Sequence, residues 1–182
     1  KRVALISGTT VGGMDITENY FEQMKSDDSL LFLPQSNECG KSTLEMAQIL
    51  GLEGIETCTI STACSSALNS IILGAEMLKH NEADIIIAGG SEALSRFHLN
   101  GFNTLMILDK EPCRPFDESR AGLNLGEGAA FVILEKNSEN PLAYISGYGN
   151  RCDAFHQTAS SDNGEGAYLA MMDALNMSGL KP

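Results

Sequence analysis

At 182 residues the chain is long enough for one domain or one and a fraction, and 43% hydrophobic with 20% charged content is what a soluble globular core needs. Twelve basic against 24 acidic residues leave a net charge of −12, which argues against nucleic acid as a partner, because phosphate neutralisation needs clustered Lys and Arg. No apolar run approaches the roughly 18 residues of a membrane span, and the five cysteines (39, 58, 64, 113, 152) show no CxxC spacing, so neither a disulfide framework nor a zinc site is suggested.

The opening Lys1-Arg2-Val3-Ala4-Leu5-Ile6-Ser7-Gly8 reads as a buried strand over 2–8 rather than a signal peptide, and a chain that begins inside a strand without Met looks like a piece of something longer. With no secretory signal, free thiols in a reducing cytoplasm are expected. A glycine turn follows, and Ile16, Tyr20, Phe21 and Met24 at helical spacing predict a helix over 16–25. Leu30 to Pro34 is an apolar loop. A helix is expected over 42–50, stopped by Gly51, then a strand over 56–62. The pattern over 65–80 is strongly helical, with Leu68, Ile71, Ile72, Ala75 and Leu78 as its apolar face. A buried strand over 83–90 closes on Gly89 and Gly90, and a helix is plausible over 98–108. A glycine-containing loop covers 112–128, with strands over 129–135 and 142–147 and a helix over 165–178 that ends at Gly179. Strands alternating with helices make the class α/β.

Cys64 is the first candidate for chemistry. It stands in Thr57-Cys58-Thr59-Ile60-Ser61-Thr62-Ala63-Cys64-Ser65-Ser66, where a β-branched run gives way to small residues and then to a helical pattern. Such a thiol lies at the start of a helix, where aligned peptide dipoles favour an anion, and at the C-terminal end of a strand in a βαβ unit, where ligand chemistry gathers. The residues alone leave two readings open, a nucleophile or a small buried hydrophobe, and Cys39, Cys58, Cys113 and Cys152 keep the second.

Six ordered segments then carry a resemblance. They are Gly8-Thr9-Thr10-Val11-Gly12-Gly13, Ser61-Thr62-Ala63-Cys64, Ala83-Asp84-Ile85-Ile86-Ile87-Ala88-Gly89-Gly90-Ser91-Glu92, Arg114-Pro115-Phe116-Asp117, Gly126-Glu127-Gly128-Ala129-Ala130 and Asp153-Ala154-Phe155-His156-Gln157-Thr158. Together they resemble the β-ketoacyl-acyl carrier protein synthases. The resemblance implies a thiolase-like layered α-β-α-β-α fold of which only part of the two repeated halves is present: most of the N-terminal half over 1–137 and the start of the C-terminal half over 138–182.

It implies further that Cys64 accepts the acyl group, and that a decarboxylating malonyl unit then supplies the carbanion that attacks the thioester. Val11 and Phe32 match residues near the acyl chain, Phe102 matches an aromatic gate near the nucleophile, and His156 and Thr158 match residues beside the pantetheine channel. From pattern alone, core packing explains the first three and a polar loop the last two. No metal or resident cofactor is implied, since the substrate rides on the phosphopantetheine of acyl carrier protein. The implied partners are that carrier and a second copy of the chain, paired through the strand around 56–62, with no membrane. The family's two later catalytic residues, histidines in the carrier-protein type, have no match here, and Pro182 falls shortly before the first is expected. His80 reads as a helix-end charge, His98 as a surface or loop residue, and Arg114 and Arg120 as partners for Asp117 or Glu118. Met106 stands where many family members carry a basic residue that helps hold the acidic carrier. The competing readings are a non-catalytic truncated or partner subunit of such a synthase and, more weakly, a thiol hydrolase that would need His98 or His156 to reach Cys64.

Overall fold

Val3-Ala4-Leu5-Ile6 is apolar without alternation, the pattern of a strand covered on both faces. It forms β1 (Val3–Gly8), the centre of a four-stranded sheet in the computed structural model, which describes residues 1–156 and 158–181. The strands are β2 (Glu56–Ile60), β3 (Ile85–Glu92) and β4 (Gly128–Glu135), in the order β2-β1-β3-β4. β1 pairs in parallel with both β2 and β3, so that Ile6 lies beside Cys58 and Ala88, while β4 runs antiparallel to β3 with Phe131 opposite Gly89. The helices are α1 (Met14–Met24), α2 (Cys39–Ile49), α3 (Ser66–Lys79), α4 (Arg96–Thr104) and α5 (Glu165–Ser178). This is the expected α/β class.

Alternation along β1 divides the packing. Ala4 and Ile6 face α3 and build the core with Met77, Leu78, Ala83, Ile86 and Ala88. Leu5 and Ser7 are equally buried on the opposite face, where Thr43 of α2 meets Thr59 of β2 through a 2.6 Å hydroxyl pair. The sheet-facing stripe of α3 differs from the expected one: it is Ser66, Ser70, Gly74, Met77 and Leu78, whereas Leu68 is 58% exposed. Small residues face the sheet because the helix lies very close to it. A Cβ at Gly8 would stand 2.5 Å from the backbone nitrogen of Ala67, and one at Gly90 would stand 2.8 Å from the Ala67 Cβ. Leu78 belongs to both stripes and Ile71 packs against the core, so the expected face overlaps the sheet-facing one, and the difference lies in the small residues at the start of the helix and in the exposed Leu68.

Other boundaries shift for local reasons. α2 starts three residues before the expected position, at Cys39, with Gly40 facing open space in its first turn. β3 runs on through the double glycine, since Gly90, Ser91 and Glu92 keep pairing with Ala130, Ala129 and Gly128. β2 ends at Ile60, where the chain turns toward Cys64. α4 begins at Arg96, earlier than expected, because Ser95 caps it with a side-chain oxygen that accepts from the His98 backbone N–H at 3.1 Å. It stops at Thr104, and Met106 takes a left-handed φ of 56° just beyond.

The chain divides into two compact units, Lys1–Glu135 and Lys136–Pro182. In the second, α5 matches expectation, with Gly179 at φ 68° ending it in the left-handed conformation glycine favours. The strand expected over 142–147 does not form. The segment finds no ladder partner among the described residues, and at and just beyond its end Gly147 and Gly149 press against the carbonyls of Ala174 and Ala170 on α5. An apolar run specifies a strand only when a neighbour supplies hydrogen bonds.

Candidate functional site

The C-terminal ends of the three parallel strands each lead into a polar turn. β1 leads into Thr9–Gly13, β2 into Ser61–Ser65, and β3 into Ala93–Ser95 ahead of α4. Cys64 lies in the middle one, two residues before α3, and is exposed. Ala63 before it takes φ 53°, an uncommon conformation for a residue with a side chain. Ser66 clasps this turn: its buried hydroxyl accepts from the Thr62 N–H at 2.8 Å and donates to the Ala63 carbonyl at 2.6 Å. Asn69 reaches back to the Thr62 hydroxyl at 2.8 Å. Strained backbone held by surrounding bonds in this way is a recurrent feature of functional turns. Ser66, which composition gave no reason to single out, holds Cys64 in place. Its signal in the sequence is a second hydroxyl residue directly at the helix start.

The other expected site residues are spread around this unit. Val11 is 8% exposed, in the turn after β1. Phe32 is 59% exposed and precedes the short 3-10 turn Leu33–Asn37. Phe102 is half-buried on α4, edge-on to the His98 ring at 6.4 Å between centroids. A cavity of about 460 Å3 opens beside the same strand ends, lined among others by Thr9, Gly12, Ser36, Lys41 and Glu92. Cys64, Val11, Phe32 and Phe102 do not line it. In the second unit, His156 is exposed, and its Nδ1 accepts from the backbone N–H groups of Thr158 and Ala159 at 3.1 and 3.2 Å. With Nδ1 so used, a neutral ring carries its proton on Nε2. Gln157, the residue between them in the matched segment, lies outside the described residues.

Three expectations are corrected. His98 is neither a loop residue nor a free surface group: it is half-buried on α4 and bonds Thr10 Oγ1 through Nε2 at 2.9 Å. Arg114 pairs with Asp109 at 2.9 Å instead of Asp117 or Glu118, and Arg120 donates to the Asp117 backbone carbonyl at 2.8 Å. Asp109 draws the Glu111 and Ala121 N–H groups and the Arg114 guanidinium onto one carboxylate, which holds its pKa below the usual range and pins the loop after α4. Third, the remaining cysteines are not uniformly buried. Cys113 and Cys152 are exposed, so exposure alone does not set Cys64 apart.

Comparison with known proteins gives these turns a family. Residues 1–140 match the family model "Beta-ketoacyl synthase, N-terminal domain", and the chain belongs to that family. Among curated relatives it is 32% identical to the 3-oxoacyl-[acyl-carrier-protein] synthase 2 of Staphylococcus aureus, aligned over all of this chain and 48% of that protein. It is 33% identical to the enzyme of the same name from Coxiella burnetii, over all of this chain and 47% of that one. Its fold superposes on the ketosynthase ApeO, solved in complex with its chain length factor ApeC from Xenorhabdus doucetiae, with a TM-score of 0.87 and 31% identity over 100% of this chain and 46% of that one. The ishigamide ketosynthase/chain length factor gives a TM-score of 0.83 at 28% identity, over 100% and 47%. The chain thus spans about half the length of the curated relatives it matches. Among the described residues, no helix is long and apolar enough to cross a membrane.

Proposed function

We propose that Cys64 is the acyl-accepting nucleophile of a carrier-dependent condensing enzyme, and that the intact protein makes a carbon–carbon bond by decarboxylative Claisen condensation in fatty acid or polyketide-type synthesis. The observation that carries this reading is the placement of Cys64: an exposed thiol on a strained, clasped turn at the start of a 14-residue helix, in a chain of this family. The Cys64 thiolate attacks the carbonyl of an acyl thioester, the new C–S bond forms, and the carrier thiol leaves with a proton. Malonyl carrier then loses carbon dioxide. The resulting enolate carbon attacks the Cys64 thioester, a C–C bond forms, the bond to Sγ breaks, and the thiolate is restored. The decarboxylating groups belong to residues that the family places beyond the part matched here.

The remaining site residues take their roles within this reading. Val11, Phe32 and Phe102 border the acyl chain. His156, through Nε2–H, and Thr158 donate to the pantetheine amides. The carrier brings the phosphopantetheine, so no resident cofactor is needed. β2 has β1 on one side and no strand on the other among the described residues, so its outer edge is open to pairing with a second copy of the chain. Residues 1–137 correspond to most of the first thiolase-like half and 138–182 to the opening of the second.

The test is a condensation assay on the intact protein with acyl and malonyl carrier thioesters. Carbon dioxide release matched by β-ketoacyl product, lost by at least about a thousandfold in Cys64→Ala, supports the reading. Undiminished product formation by Cys64→Ala contradicts it.

A further inference from the structure

Helix α4 buries no side chain, so apolar packing does not fix its position. Polar anchors do. The Arg96 and Phe97 N–H groups each donate at 2.7 Å to the carboxylate of Glu18 on α1, and Ser95 caps the same end. The third anchor is a chain of bonds reaching the middle of the helix. Glu92, the last residue of β3, accepts from the Thr10 backbone N–H at 2.7 Å, the Thr10 hydroxyl at 2.6 Å and the Thr9 hydroxyl at 3.2 Å. The Thr10 hydroxyl has one proton and donates it to the carboxylate, which can only accept. Toward His98 Nε2, 2.9 Å away, its oxygen is therefore the acceptor. His98 consequently carries a proton on Nε2. Phe102 lies one turn further along the same face of α4, with its ring inclined at 80° to that of His98.

We infer that Glu92, Thr10 and His98 form a latch that sets the position of Phe102, and that Thr10 and His98 are thereby positioning residues for acyl-chain selectivity at Cys64. The inference rests on the reading of Cys64 as the acyl acceptor. The strand order puts the latch next to the strand end that leads to Cys64. Cys64 follows β2, α4 follows β3, and Thr10 follows β1, which lies between those two strands, so the latch ties the segment after the central strand to the helix beside it. A hydroxyl at position 10 and a ring N–H at position 98 have no role in the condensation chemistry itself. Their effect is to choose which acyl chains Phe102 admits.

The experiment measures acyl transfer to Cys64 in the intact protein, from acetyl and decanoyl carrier thioesters, for the unaltered protein and for Thr10→Val, Thr10→Ser and His98→Phe. Thr10→Val removes the hydroxyl at nearly constant volume, and Thr10→Ser keeps it. His98→Phe keeps a ring against Phe102 without the N–H, and serves if Thr10→Val does not fold. The expected result is a change of about tenfold in the decanoyl-to-acetyl ratio of kcat/KM in Thr10→Val and His98→Phe, restored in Thr10→Ser. A merely structural role would lower both substrates together, and that outcome, or an unchanged ratio, overturns the inference. Nitrogen NMR of the His98 ring gives a readout separate from turnover. A proton on Nε2 agrees with the latch, and a proton on Nδ1 alone contradicts it. If the unaltered protein fails to acylate Cys64 while His98 shows the Nε2 proton, the nucleophile reading has failed and the selectivity role goes with it, whereas the latch geometry stands.

Discussion

Helices α3 and α4 each follow a parallel strand of the same sheet, yet they are held by opposite means. α3 lies on β1 and β3 through small residues and glycines, close enough that Gly8 and Gly90 cannot carry a Cβ without displacing Ala67. Its position is rigid because dense apolar packing leaves no slack. α4 has no buried side chain and depends on Ser95, Glu18 and the Thr10–His98 bond. Polar anchors of this kind are individually worth about 1 kcal/mol and can be exchanged without dismantling a core. Cys64, the nucleophile of the proposed function, sits just before the rigid helix, and Phe102, matched by resemblance to the gate, sits on the adjustable one.

Substitutions should separate the two regions. The largest loss is expected from Ile86→Ala, because Ile86 is fully buried and packs against Gly74 of α3; the cavity should cost about 4 kcal/mol in urea unfolding of the intact protein. A cost below about 1 kcal/mol would mean that α3 is not seated as described. Next is Gly8→Ala, whose added methyl meets backbone rather than a flexible side chain and should cost about 3 kcal/mol. It should also displace the start of α3 and slow alkylation of Cys64, while a neutral outcome would break the close-packing half of the comparison. Ser95→Ala removes the α4 cap and should cost only about 1 kcal/mol, seen as faster amide exchange confined to α4. Exchange that rises equally in α3 would show that the two helices are not held independently.

The smallest effect concerns the Arg2–Asp84 pair at the entry to β3. The Arg2 guanidinium and backbone N–H lower the Asp84 pKa to about 2. A depressed carboxyl pKa stabilises the fold above the ordinary aspartate range, and the contribution disappears as pH falls toward about 2. The pair is exposed, so salt screens it and the gain at neutral pH is slight. Asp84→Asn should lower the urea midpoint a little at neutral pH and flatten the acid limb of the stability profile. An unaltered acid limb would remove Asp84 from the account.

The parts legible in the sequence are those where one local signal decides. β1 is an uninterrupted apolar run, and Gly179 ends α5. The turn before Cys64 shows itself as small residues between a β-branched run and a helical pattern. What escaped sequence reading depends on neighbours. The sheet-facing side of α3 is its small-residue side, which periodicity ranks below the stripe containing Leu68. His98 looks like a loop residue until Thr10, 88 positions away in sequence, is brought beside it. The segment over 142–147 has strand composition but no strand to pair with among the described residues. Ser66 reads as an ordinary helix residue, and only the left-handed backbone at Ala63 explains why a hydroxyl is needed there.

The central claim is that Cys64, among five thiols of which three are exposed, carries the acyl group. The direct measurement is peptide mass spectrometry of the intact protein after brief exposure to an acyl carrier thioester, with no malonyl unit present to discharge the adduct. One acyl mass is expected on the peptide containing Cys64 and none on those containing Cys113 or Cys152. Acyl mass spread across the exposed cysteines, or absent from Cys64, would contradict it.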